Sequence, residues 1–237
     1  MKTVKHTADS RGYANHGWLK SHHTFSFGGY FNPERMSFGK LRVLNDDVVQ
    51  PKMGFGTHPH NNMEIISIPL QGALSHKDSM DNKRAIEVGE VQVMSAGTGL
   101  THSEFNDSKT EETNFLQLWI LPEEENVTPN YEQKYFDSKG RENQFQTVVS
   151  PQDKLIEGSL GIHQQAYISI GNFTENSSTF HEIREGCGAY IFVIQGNVSV
   201  ENQKLEKRDA LGIWNTKSFN LDIEAGSEVL IIKVPMN

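Results

Sequence analysis

The chain has 237 residues, 36% of them hydrophobic and 22% charged, with a formal net charge of -8. That composition excludes a disordered polymer and fits one large or two small globular domains. The acidic balance, with no Lys/Arg cluster, argues against direct nucleic-acid binding, which needs a basic patch to release counterions.

One cysteine, Cys187, leaves no intrachain disulfide and points to a reducing compartment, the cytoplasm. It sits between Gly186 and Gly188 beside Glu182 and Glu185, a setting for an inert thiol. The N-terminal MKTVKHTADSRGYANHG has no apolar core of a secretory signal, and runs such as residues 189–194 are too short to span a bilayer. No membrane association is expected.

Along the chain, His22, His23, Phe25 and Phe27 form an alternating stretch that reads as a strand with an aromatic face. Strands are predicted over residues 40–44, 63–70, 84–88, 90–94 and 115–121. Residues 122–143 are polar, contain Pro122 and Pro129, and read as a connector. Further strands are predicted over residues 189–194, 197–200, 219–223 and 229–234. All are short, rich in Val, Ile and Phe, and bounded by Gly, Asn, Asp or Pro, which describes an all-β sandwich or barrel. A repeat supports two copies of one unit: LQGALS (70–75) resembles IQGNVS (194–199), an offset of 124 residues.

The chemistry concentrates in two places. In THPHNNMEII (57–66), Pro59 favours an extended conformation for His58, so His58 and His60 project to the same side. Proline cannot donate to a ladder, so this is an edge, a bulge or a strand start. With 10 histidines in 237 residues, a His-x-His pair arises by chance roughly 0.4 times, so the pair alone means little. Downstream, the glycine turn Ala96-Gly-Thr-Gly99 leads to a second pair two residues apart, His102 and Glu104. On facing strands the two pairs would present three imidazoles and a carboxylate, a set suited to first-row transition ions. Four protein donors leave open positions, as catalysis requires. The second half has no such pair, and His76, His163 and His181 read as surface or hydrogen-bonded histidines.

These segments resemble the two cupin motifs. His58-x-His60, Glu64 and Gly72 follow the first; Gly89, Gly99-Leu-Thr-His102 and Asn106 follow the second. Ser95 and Ala96 stand where the second motif usually has its proline, and Glu104 adds a carboxylate. GFGTHPH and SAGTGLTHSE, with HGWLKSHHTFSFGGYFNPERMSFGKLRVLNDD (16–47), SMDNK, GEVQVMSAGTG and LQLWILP, resemble the pirin family over nearly the whole chain. The likeness is greatest to its bacterial members with quercetin 2,3-dioxygenase activity.

The resemblance implies a bicupin of two jelly-roll-like β-barrel domains: a metal-binding cupin over residues 1–130 and a degenerate one over 131–237. It implies His58, His60, His102 and Glu104 as ligands of one divalent transition metal, iron(II) first, with Ni, Mn, Co, Cu or Zn as alternatives. It implies cleavage of a flavonol such as quercetin by O2, with Glu104 also as general base. Glu64 is not a ligand in this pattern; it is either an acceptor just behind the ligands or a strand-end residue facing solvent. The resemblance also leaves a second role open, a redox-responsive regulatory protein that binds a transcription regulator or a metabolic enzyme.

Overall fold

Segments rich in Val, Ile and Phe, punctuated by Gly and Asn, favour pleated strands joined by tight turns. The computed structural model describes all residues, 1–237. The first half runs β1 (Lys2–His6), β2 (Gly12–Asn15), β3 (Leu19–His23), β4 (Leu41–Val49), β5 (Gly54–His60), β6 (Glu64–Gln71), β7 (Ala73–Asp78), β8 (Lys83–Glu87), β9 (Glu90–Ser95), β10 (Leu100–Asn106), β11 (Thr113–Ile120) and β12 (Asn130–Tyr135). The second runs β13 (Phe145–Pro151), β14 (Leu160–Ile162), β15 (Tyr167–Phe173), β16 (Ser177–Glu182), β17 (Cys187–Gln195), β18 (Val198–Val200), β19 (Gln203–Leu205), β20 (Ala210–Trp214), β21 (Ser218–Ile223) and β22 (Ser227–Pro235). Helix is confined to three short 3-10 turns, and no helix is long and apolar enough to cross a membrane.

A seven-stranded sheet, β12-β9-β6-β11-β4-β3-β2, and a four-stranded sheet, β5-β10-β7-β8, make the first barrel. The sheets β1-β20-β17-β22-β15-β13-β14 and β16-β21-β18-β19 make the second. The chain is the all-β bicupin that the sequence led us to expect. Each of the nine hydrophobic strands predicted overlaps an observed one, β4, β6, β8, β9, β11, β17, β18, β21 and β22, whereas the alternating stretch from His22 to Phe27 is a strand only as far as His23, where β3 ends.

Two further boundaries differ from expectation. β4 continues past residue 44 through Asn45, Asp46 and Asp47, polar residues that are nevertheless buried. The connector holds β12, whose six residues all pair with β9. NYEQKY escapes a hydrophobic pattern because an edge strand is covered on one side only. The division between residues 130 and 131 therefore falls at the first residues of a strand that belongs to the first sheet. In the opposite sense, β1 pairs with β20 in the second sheet.

The 124-residue offset is structural. Gly72 and Gly196 both adopt left-handed geometry, with φ of 74° and 81°, in the turns β6–β7 and β17–β18. A Cβ at either would collide with the residue opening the neighbouring strand, Thr113 of β11 or Ser227 of β22. Those two hydroxyls each close a turn, Thr113 Oγ1 on the Gln71 carbonyl at 2.7 Å and Ser227 Oγ on the Asn197 carbonyl at 2.9 Å. β12 forms an edge of the first large sheet beside β9, and β1, from the first half, forms an edge of the second beside β20.

The two large sheets pack face to face over 26 buried residues, among them Leu44, Ile66, Leu116 and Leu118 from the first and Ile168, Phe192, Leu230 and Ile232 from the second. At the edge of this interface Asp46 receives two guanidinium groups, Arg208 Nε at 3.0 Å and Arg11 Nη1 at 3.4 Å. Asn114 donates to Asp46 Oδ1 at 2.8 Å and accepts from Arg208 Nη2 at 3.1 Å. The Arg11 side chain is only 5% exposed. Asp46→Ala leaves both cations without their anion, and removal of one partner from a buried pair costs about 3–5 kcal/mol. Urea denaturation of Asp46→Ala is expected to show a loss of that order with an unchanged m-value; a loss below about 1 kcal/mol would contradict this role.

Candidate metal centre

β5 is the edge strand of its sheet, the place where Pro59 disturbs no ladder bond. His58 and His60 project from it to one side, with ring centroids 4.9 Å apart. β10 runs antiparallel alongside and sets His102 opposite His58. The His102 ring lies 4.4 Å from that of His58 and 4.9 Å from that of His60. Between His102 and Glu104 the register against β5 slips. Such a bulge bends the strand and re-aims the side chain that follows.

One ring nitrogen from each of these three histidines lies within 4.8 Å of the other two. His58 Nδ1 is 2.8 Å from the Gly56 carbonyl oxygen, which can only accept. That bond places the proton on Nδ1 and leaves Nε2 bare to bind a metal. His102 is buried, and neither of its ring nitrogens has a partner. A buried polar group left unpaired costs about 1–3 kcal/mol, so the protein alone does not account for this residue. A metal ion among the three imidazoles would supply a partner, and the donor set fits one. Burial, reinforced by the charge of His58, lowers the His60 pKa to about 4. Burial, reinforced by His58, His60 and His76, lowers that of His102 to about 2. Both rings are therefore neutral near pH 7, the form that coordinates.

Glu104 is fully buried, and burial raises its carboxyl pKa. Gln117 Nε2 at 2.7 Å and Ser67 Oγ at 3.2 Å donate to its two oxygens and oppose that rise. Its neighbours within 4.8 Å are His102 and His76. The structure thus brings together two triads joined at His102: His58, His60 and His102, and His76, His102 and Glu104.

His76 belongs to the site's surroundings more closely than its sequence context suggested. It is buried, pairs with Glu104 across β7 and β10, and places Nε2 3.1 Å from Asp78 Oδ2, while Nδ1 has no partner. Asp78 is fixed in turn by the Met80 and Asn82 amides at 2.9 and 3.0 Å. His76-x-Asp78 is a third pair two residues apart, directly after the LQGALS turn, and the alternation that exposed the other two pairs would have found it. Gln117 and Trp119 gave no such signal, being one face of an apolar strand. Trp119 donates to Gln117 Oε1 at 3.3 Å and meets His60 edge to face at 4.9 Å.

Glu64 fits neither of its expected roles. It is 1% exposed and accepts from Ser95 Oγ at 2.7 Å. On β6 it shares the face of Ile66 and Ile68, which pack between the two large sheets, whereas Ile65 and Ser67 face the barrel interior. It therefore points away from the histidines. His163 lies near Glu64 and counters the burial that raises the Glu64 pKa. An open depression of about 640 Å³, lined by Pro59, His60, Asn61 and Thr98 to Thr101, reaches the cluster from solvent.

Two family models match the chain, Pirin over residues 4–120 and Quercetinase C-terminal cupin domain over residues 147–234. The chain is 44% identical over 229 residues to a quercetin 2,3-dioxygenase of Escherichia coli K12, covering 96% of both sequences. It is 34% identical over 224 residues to a pirin-like protein of Caulobacter vibrioides, covering 94% of this chain and 96% of that one. The crystal structure of the bacterial pirin YhhW from Escherichia coli in complex with nickel(II) matches with a TM-score of 0.94 at 41% identity, covering 100% of both chains.

Deeper in the same barrel lies Asp47, buried and hydrogen-bonded by the Ser21 hydroxyl. Burial pushes its carboxyl pKa up to about 7, with Asp46 and Glu104 adding repulsion and Ser21 opposing. An unfolded aspartate titrates near 3.9. Between about pH 4 and pH 7 the native state thus holds a proton that the unfolded state has lost, so stability falls as pH rises through that window. The full effect is on the order of 4 kcal/mol. In chelator-treated protein, Asp47→Asn is expected to match the parent at pH 4 and exceed its stability at pH 8. Parallel urea curves for the two proteins across that range would overturn the assignment.

Proposed function

Because the chain belongs to the pirin family, we propose that it is a metal-dependent dioxygenase that opens flavonols such as quercetin with O2, releasing carbon monoxide and a depside. The observation that carries this reading is His102, buried between His58 and His60 with both ring nitrogens unpaired. We assign His58, His60, His102 and Glu104 as the ligands and iron(II) as the metal; the Escherichia coli relative was crystallised with nickel(II). A metal held there acidifies a bound hydroxyl and brings O2 and the flavonol together.

The chain's own residues do the rest. Gln117 and Ser67 hold the two Glu104 oxygens in place. Burial raises the proton affinity of that carboxylate, which matches it better to taking the proton of a flavonol 3-hydroxyl. Ile65, Met94, Ala96 and Leu100, with Met63, Met80 and Trp119 packed on them, form an apolar wall that reaches His60 through Trp119. Such a wall keeps water from the reacting ring. The depression beside His60 falls in the size range of small-molecule pockets, about 300–1,000 Å³. The single buried thiol, Cys187, suits the cytoplasm as the working compartment.

Chelator-stripped protein reloaded anaerobically with iron(II) should consume the long-wavelength absorbance of quercetin once O2 is admitted. His58→Ala should lose both bound metal and turnover. Glu104→Gln should lower kcat by about 10²–10⁴-fold, the usual contribution of a general base. Failure to turn over quercetin with any of Fe, Mn, Ni, Co or Cu would remove the proposal.

A further inference from the structure

The duplication allows the metal positions to be traced into the second barrel. The offset aligns Gly72 with Gly196 and hence His76 with Val200. His76 pairs with Glu104 and Val200 pairs with Leu221, so Leu221 stands at the place of Glu104. Two residues earlier, Phe219 stands for His102. His102 faces His58 and Phe219 faces His181, so His181 stands for His58 and Ile183 for His60. The lone survivor, His181, has Nε2 2.9 Å from Thr179 Oγ1 and its ring stacked 5.0 Å from Phe219. This barrel holds no ligand set.

Its mouth is nevertheless open. A cavity of about 1250 Å³ lies there. Ile183, Lys217 and Ser218 line it, and these are the counterparts of His60, Leu100 and Thr101, which line the depression at the first barrel's mouth. The same part of the fold is hollow in both copies, and the lining differs in kind. Arg184, Lys217 and Lys233 surround the second cavity. Lys233 is half-buried and spends one N–H on the Glu182 carbonyl at 2.8 Å, leaving two. The carboxylates of Glu182 and Glu185 also line the rim, but none of the chain's seven ion pairs engages any of the three cations. In a chain of net charge -8, three cations against two carboxylates, with Glu182 close enough to act on the charge of Lys233, still leave this hollow with an excess of positive charge, which favours an anion. Phe180, 64% exposed, and Ile156, 41% exposed, share the lining and offer apolar surface.

We propose that the mouth of the second barrel is a metal-independent binding site for a small aromatic carboxylate, its anion on Lys233, Arg184 and Lys217 and its ring against Phe180, Ile156 and Ile183. Charge-assisted hydrogen bonds fix the carboxylate, and the apolar rim excludes inorganic anions from equal affinity.

The probe is 2-naphthoate, titrated calorimetrically into metal-loaded protein. Saturable binding of one equivalent is expected. Lys233→Gln with Arg184→Gln should weaken it roughly tenfold or more, Phe180→Ala should also weaken it, and chelation of the metal should leave it within about twofold. Thermal unfolding of the variants checks that they remain folded. The proposal fails if no saturable binding occurs at millimolar probe. It also fails if binding disappears with the metal while ignoring these substitutions, or if inorganic phosphate binds as tightly as 2-naphthoate in the same titration.

Discussion

The apolar contact between the two seven-stranded sheets is the constraint on which the rest of the molecule depends. It gathers 26 buried residues from both halves, and each large side chain buried there contributes about 1.5–3 kcal/mol before entropy is charged against it. The first barrel has no comparable interior. Its apolar side chains form two clusters of five and four residues. Between them stand Asn45, Asp47, Ser67, His76, Gln92, His102 and Glu104, all buried. Such an interior opposes folding wherever a polar atom lacks a partner. The sheet-on-sheet core lets the protein tolerate it, because cohesion comes from the outer face of the same strands.

Strand alternation is how one sequence serves both faces. Along β11, Leu116, Leu118 and Ile120 enter the core between the sheets. Phe115, Gln117 and Trp119 enter the barrel, where Gln117 holds Glu104 and Trp119 packs on His60. A slip of one residue would exchange the two sets. The register of β11 against β4 and β6 therefore fixes the geometry around Glu104 as firmly as any bond to it. The bulge between His102 and Glu104 is the local exception. It lets two consecutive inward positions address different surroundings, His102 facing His58, His60 and His76, and Glu104 facing His76 and His102.

Much of this was legible in the residues. Strands whose two faces are apolar, such as β6 and β17, announced themselves, and so did the glycine turns that mark the repeat. Pro59 narrowed its segment to an edge, a bulge or a strand start, of which the edge is observed, and two pairs spaced by two located the histidine cluster and Glu104. Strands that line the polar barrel were harder to read. β3 carries Ser21 and His23 inward, and the inner half of β4 carries Asn45 and Asp47, so hydrophobic alternation is absent where burial is present. His76 is hydrogen-bonded, one of its two expected settings, but its place beside Glu104, like the direction of Glu64, was not legible for one reason: spacing along a strand gives the face, and only register gives the neighbour. Glu64 has motif spacing, yet its parity on β6 turns it toward the second half. His76 lacks motif spacing, yet register sets it opposite Glu104.

The two barrels also divide stability and chemistry between them. At the positions matching His60, His102 and Glu104 the second barrel carries Ile183, Phe219 and Leu221, and all three belong to its 16-residue apolar core. The residues that stand in place of the candidate donors are thus ones that complete a hydrophobic interior. A barrel filled in this way folds without help from an ion and presents a firm outer sheet for the first barrel to pack against. The order of the first barrel's strands is then set from outside, by the sheet interface and by β12 along its edge. A cluster whose side chains are placed by backbone register is preorganised. Register sets His102 opposite His58 and His76 opposite Glu104, and the bulge between His102 and Glu104 aims these two inward positions of β10.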